Sequence, residues 1–146
     1  MMDLVKKNED LKFGFKNEDV ILKIIKEIFT NTYKTKEKYN HFDFRNDTLK
    51  LDFELKSRRI YKGQYPTIFF AECKLKKGRE KMRSRETFKV IYLFNFVQKE
   101  NKELSELWYW EDDGSELNIT MEGNLARGDI RKRCANIPMD QLQRFI

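Results

Sequence analysis

The sequence predicts a mixed α/β (α+β) domain: a helix, a meander of three short strands, a basic helix, a further strand in a mixed sheet, and a C-terminal hairpin. Three observations predict it. Val20, Ile21, Ile24, Ile25 and Ile28 recur at helical spacing, with lysine and glutamate between them. Residues 49–57 alternate between apolar and polar positions, as a half-buried strand does. The run FKVIYLFNFV, 88–97, is almost unbroken in its apolarity and reads as a buried strand.

The elements follow in order. Residues 1–12 are polar and are expected to be frayed or loosely docked. A helix is expected from Gly14 to about Phe29, with Asn17 as a cap before the apolar-periodic run and the apolar stripe facing a sheet. TNTYKTKEKYN is a polar connection. The first strand spans His41–Arg45, and RNDT is a turn leading to the second. On that second strand Leu51, Phe53 and Leu55 share one face, and Asp52, Glu54 and Lys56 share the other. Thr67–Cys73 (TIFFAEC) is a third strand, apolar enough to be central. Residues 74–87 are strongly basic, part helix and part loop, and lead into the strand at 88–97. Leu107–Trp110 and Leu117–Met121 are expected to pair around EDDGS, and IPMDQLQRFI to close the chain with a short strand and a helical turn. No repeat or linker divides residues 1–146, so one domain is expected.

Composition bounds the function. Of 146 residues 14% are aromatic, which argues against disorder, and the net charge is +6. A basic excess of this size favours a polyanionic partner, nucleic acid before membrane. Cys73 and Cys134 lack CxxC spacing and His41 is the single histidine, which argues against a structural zinc. Two separated cysteines in a lysine-rich chain read as reduced thiols. No apolar run approaches the roughly 20 residues of a membrane span, so a soluble, intracellular protein is expected.

The chemistry concentrates in FDFRNDTLKLDFELKSRR. If the first two strands pair as a hairpin, Asp43 comes beside Glu54. Two carboxylates suit Mg²⁺ (or Mn²⁺), with water and a substrate phosphate completing the shell. Lys56, two residues on along the same face, is placed to support an attacking water and the charge that develops on a phosphate. The expected reaction is metal-assisted hydrolysis of a phosphodiester. The same face also reads as the solvent side of an amphipathic strand held by cross-strand ion pairs. A competing register exists, with Asp52 as the acid and Glu72-x-Lys74 in FAECK as the Glu-x-Lys element.

Asp43 followed by Glu54-Leu55-Lys56 resembles the Asp…(Asp/Glu)-x-Lys signature of the restriction-endonuclease-like, PD-(D/E)xK, nuclease superfamily, which includes Holliday-junction resolvases. Phe42 stands where that superfamily often has proline. The order of segments also resembles small nuclease-like proteins of large DNA viruses: Phe42-Asp43-Phe44, Glu54 to Arg59, Tyr65-Pro66-Thr67, Lys74 and Ile137-Pro138. The resemblance implies a restriction-endonuclease-like core and a metal-dependent endonuclease acting on DNA in preference to RNA, with branched or junction DNA as one substrate. It implies Asp43 and Glu54 as metal ligands, Lys56 as the third catalytic residue and Glu18 on the preceding helix as an accessory ligand; Lys74, leaving the third strand near the site, is placed to contact the scissile phosphate. A homodimer is plausible for an enzyme that cuts two strands. The alternative is a catalytically inactive nuclease-fold protein that binds nucleic acid or serves as a virion component.

Arg58, Arg59, Lys76, Lys77 and Arg79 are candidate nucleic-acid contacts because they adjoin the candidate carboxylates in sequence. Arg127, Arg131, Lys132 and Arg133 form a second basic cluster. Trp108, Tyr109 and Trp110 read as core and rim residues before they read as base-stacking ones. His41 reads as a strand-edge or surface residue, and Cys73 as a small buried filler.

Overall fold

A computed structural model describes residues 18–35, 41–97, 105–123, 128 and 130–145. The chain is mixed α+β. Helix α1 covers 18–28 and is followed by β1 (Tyr33–Lys34), β2 (Phe44–Asn46), β3 (Leu51–Arg58) and β4 (Thr67–Ala71). Next come α2 (Glu72–Arg83), β5 (Lys89–Val97), β6 (Ser105–Glu111), β7 (Asn118–Glu122) and β8 (Lys132–Pro138). A 3₁₀ turn (Met139–Gln141) then leads to β9 (Gln143–Arg144). The expected segment at 1–12, together with Gly14 and Asn17, lies outside the described residues.

Two sheets form. The larger has the order β1-β2-β3-β5-β6-β9, the smaller β4-β8-β7. In the larger sheet every neighbouring pair is antiparallel except β3 and β5, which run parallel with Glu54 opposite Tyr92. A parallel pair needs a crossover, and here β4 and α2 supply it.

The alternation in β3 sorts its two faces as the sequence predicts. Leu51 and Phe53 join Ile91 and Leu93 of β5 against Ile21 and Ile25 of α1, which explains the helical spacing of those isoleucines. On the opposite face Val90, Tyr92 and Phe94 of β5 pack with Leu75 of α2 and with Ile68, Phe70, Ala135 and Ile137 of the small sheet. Asp52, Glu54 and Lys56 belong to this second face, toward α2.

Gly78 lets α2 lie close to the sheet. A Cβ there would stand 3.1 Å from the Tyr92 hydroxyl and 3.2 Å from Val90 Cγ2. Gly78→Leu is therefore expected to lower stability by about 1–3 kcal/mol through overpacking, a loss readable in chemical denaturation.

Four expectations are corrected. TIFFAEC is neither central nor wholly a strand: β4 is an edge of the small sheet, and the helix begins at Glu72. A glutamate in a first helical turn is favoured by the helix dipole. The meander in the large sheet is instead β1-β2-β3, its first strand formed by Tyr33 and Lys34 within the supposed polar connection. Finally, the strands around EDDGS do not pair. β6 lies against β5 and β9, whereas β7 lies against β8. The buried Asp112 carboxylate accepts the Gly114 N–H (3.0 Å) and three bonds from the Arg79 guanidinium, and Arg79 also donates to the Ser115 carbonyl (2.6 Å). That clamp fixes the turn to α2, and the chain passes from one sheet to the other. The strand expected at His41–Arg45 is displaced to Phe44–Asn46, so Asp43 stands immediately before it.

Candidate metal and phosphate site

Register builds the site. Phe44 lies opposite Phe53, so Asp43 falls beside Glu54, and the Asp43 N–H donates to the Phe53 carbonyl at 2.9 Å. Asp43 Oδ2 accepts the Leu55 N–H at 2.8 Å, which fixes the carboxylate across the end of β2. The Asp43 carbonyl is held in turn by the Thr35 N–H and hydroxyl, each at 3.0 Å.

Glu54 is the buried member, only 3% exposed. Its Oε2 pairs with Lys74 Nζ at 3.1 Å and has no other polar partner among the described residues, while Oε1 lies 3.9 Å from Lys56 Nζ. Burial, and then the Asp43 carboxylate, push the Glu54 carboxyl up to about 7 against the opposing pull of Lys74 and Lys56. The Lys74 ammonium also reaches the His41 carbonyl and lies 5.7 Å from the Phe42 ring centroid. Lys74 projects from the first turn of α2, so the helix that carries the crossover delivers a cation to the carboxylate on β3.

The candidates thus divide. Asp43, Glu54, Lys56 and Lys74 come together. Glu18 is paired with Lys34 of β1 at 3.2 Å. The two acids of the competing register are drawn into separate ion-pair clusters. Asp52 Oδ2 takes Arg45 at 2.7 Å and Lys81 at 3.0 Å. Glu72 takes Arg133 at 2.8 Å and Lys76 at 3.4 Å, and Arg133 holds its carboxyl below the usual glutamate range. Lys81 lies nine residues beyond Glu72 on α2, about 13 Å of helical rise, so Asp52 and Glu72 address opposite ends of that helix.

Among the candidate nucleic-acid contacts, Lys76 and Arg79 are engaged with Glu72 and Asp112, and Lys77 lies 3.8 Å from Glu80. Arg58 instead lies along the Phe69 ring. Of the second basic cluster, Arg127 lies outside the described residues, Arg131 donates to the Met121 carbonyl and Arg133 serves Glu72. Trp110 is core; Trp108 is half-buried between Lys62 and Arg144. His41 is exposed, and Cys73 is exposed rather than buried because it stands on α2 instead of in a strand. The Arg45 and Lys81 partners of Asp52 were not anticipated, although Arg45 is signalled by its place opposite Asp52 in the hairpin register.

The two carboxylates fit a hard divalent cation. Mg²⁺ takes one or two protein carboxylates and keeps its remaining positions for water and phosphate, and Glu54 Oε2 is buried with a single ionic partner. Among the described residues no group of three or more His, Cys, Asp or Glu converges to hold a metal alone. No helix among them is long and apolar enough to cross a membrane. Comparison with protein families, with curated proteins and with solved structures finds no match to this chain.

Proposed function

We propose that the chain is a metal-dependent endonuclease of the restriction-endonuclease-like class, hydrolysing phosphodiester bonds in DNA. The observation that carries this reading is the juxtaposition of Asp43 and Glu54 by the β2–β3 register, with Lys56 and Lys74 closing on Glu54 from the strand and the helix. The topology supports it too. A helix, an antiparallel pair bearing the acids, a helical crossover and a parallel strand occur in the order the resemblance implies.

Asp43 and Glu54 would hold the divalent ion, which when bound supplies Lewis acidity and neutralises charge on the phosphate. The chain's own groups do the rest. Asp43 is oriented by the Leu55 N–H and so presents a fixed oxygen edge. Lys56, its side chain 30% exposed, is placed to face the water that attacks phosphorus and to offset the negative charge that develops on the phosphoryl oxygens. Lys74 positions the Glu54 carboxylate and, in releasing it, can turn to the substrate phosphate.

A second reading has a specific observation behind it. The Lys74 ammonium already supplies Glu54 with an internal counter-ion, so the carboxylate does not require a metal in order to be buried. On that reading the chain binds nucleic acid without cutting it. Incubation with branched, single-stranded and duplex DNA, with Mn²⁺ or Mg²⁺ and with EDTA, separates the two. Metal-dependent cleavage is expected, abolished in Glu54→Ala and slowed about 100-fold or more in Lys56→Ala. Binding to DNA with no cleavage under any metal would leave the second reading.

A further inference from the structure

Among the described residues, the cations of α2 and those of the segment that follows the site differ in what lies beside them. On α2, Lys74, Lys76, Lys77, Arg79 and Lys81 each lie within ion-pair distance of a carboxylate. Residues 55–71, LKSRRIYKGQYPTIFFA, carry Lys56, Arg58, Arg59 and Lys62 and contain no aspartate or glutamate. Two of these cations lie on rings: the Arg58 guanidinium is 5.7 Å from the Phe69 centroid and Lys62 Nζ is 4.3 Å from that of Trp108, while Lys56 stands at the site, 3.9 Å from Glu54. Arg58 also reaches the Ser57 and Phe69 carbonyls. A cation held by a ring keeps its full charge for a phosphate, whereas one held by a carboxylate does not.

The same segment exposes three aromatic side chains: Tyr61 by 51%, Tyr65 by 53% and Phe69 by 37%. They are not on a slack loop. The Gln64 N–H donates to the Tyr61 carbonyl at 3.0 Å, and the Gln64 side chain accepts the Tyr61 N–H at 3.1 Å. The ledge is continuous with the site, because Glu54, Lys56 and Arg58 alternate on one face of β3 at steps of about 6.7 Å.

We propose that this ledge, Arg58 and Phe69 followed by Tyr65 and Tyr61, is the seat of an unpaired DNA strand that runs out from the Asp43–Glu54 site. Phosphate contacts come from Lys56 and Arg58, and bases stack on the exposed rings. Alternating cations and rings fit a single strand, whose bases are free to leave the helix axis; in a duplex those ring faces are already stacked on one another. The inference rests on the nucleic-acid reading of the preceding section, and it places the contact on the β3–β4 connection instead of on Lys76, Lys77 and Arg79.

Fluorescence anisotropy in EDTA tests it independently of cleavage, with the full chain and labelled single-stranded DNA, blunt duplex DNA and single-stranded RNA of one length. The wild type is expected to bind the single DNA strand more tightly than the duplex or the RNA. Tyr61→Ala/Tyr65→Ala should weaken single-strand binding about 10-fold or more and leave duplex binding unchanged. Arg58→Gln should reduce the slope of log K against log salt by about 0.7. Lys76→Gln/Lys77→Gln should change neither. Both tyrosines are surface residues, so far-ultraviolet dichroism and melting temperature should match the wild type. Duplex or RNA preference, or unchanged single-strand affinity in the tyrosine variant, would overturn the ledge. Should no metal produce cleavage while the tyrosine variant still loses single-strand binding, the nuclease reading fails and the ledge stands.

Discussion

Glu54→Gln is expected to be more stable than the wild type at pH 8.5 and nearly equal to it at pH 5, both without divalent metal. Glu54 is enclosed by the sheet and α2, and its carboxyl is raised from 4.5 to about 7. The sign follows from linkage. The fold prefers the protonated carboxyl, so the contribution is fully present below pH 4.5, where both folded and unfolded states are protonated. It is lost as pH rises through about 7, where the folded state must ionise a buried group. A displacement of that size corresponds to roughly 3 kcal/mol at full ionisation. The side chain is only 4% exposed, so solvent screening reduces this little. Glutamine has the shape of the protonated acid and carries no charge, so the high-pH penalty, which already includes the opposing pull of Lys74 and Lys56, disappears. Thermal melts at the two pH values should show a gap of several degrees at pH 8.5 that closes at pH 5. Adding Mg²⁺ should stabilise the wild type at pH 8.5 by mass action and leave Glu54→Gln unmoved. A variant less stable than the wild type at pH 8.5 would show that Lys74 and Lys56 outweigh burial, and that the carboxylate is held as an ordinary ion pair.

The site was legible in sequence to the extent that local period governs it. Alternation in LDFELKS assigns faces because a strand has a period of 2, and the short turn after Arg45 brings Asp43 to Glu54 because an antiparallel pair fixes register. The isoleucine stripe of α1 is legible for the same kind of reason. What local period does not encode is which sheet a strand joins. TIFFA and FKVIYLFNFV are both apolar runs, yet one forms an edge of the small sheet and the other the parallel partner of β3. Nor does it encode long-range charge pairing. Arg79 has the composition of a phosphate contact until α2 is seen to lie against Asp112, 33 residues away. Two acids of one strand likewise acquire different fates from helix contacts that their spacing cannot show: Asp52 meets Lys81 and Arg45, whereas Glu54 meets Lys74 beside a second carboxylate.

Those different fates give the second large prediction. Asp52→Asn is expected to cost about 3–5 kcal/mol of stability, with metal-dependent cleavage retained at a temperature where the variant is folded. The Asp52 side chain is fully buried, and one oxygen takes both the Arg45 guanidinium and the Lys81 ammonium, whose side chains are themselves only 14% and 15% exposed. Removing the acid leaves two cations close together with little water to receive them. Breaking a buried pair costs far more than replacing it with apolar groups, because the surviving charge stays desolvated. Arg45 has other holds, on Asp47 and on the Glu86 carbonyl, and Lys81 lies 5.4 Å from the Phe42 ring centroid. Asp47 leaves Arg45 a carboxylate partner, so the loss falls mainly on Lys81 and is expected toward the lower end of that range. Urea denaturation should report that loss in the midpoint. The contrast with Glu54 then decides between the two acids. Asp52→Asn is expected to lower stability and spare the proposed cleavage, whereas Glu54→Gln is expected to raise stability at high pH and remove it. The reverse pattern, cleavage lost in Asp52→Asn while the fold melts normally, would move the catalytic acid to Asp52. Burial and charge pairing would then have been assigned to the wrong carboxylate of the same strand.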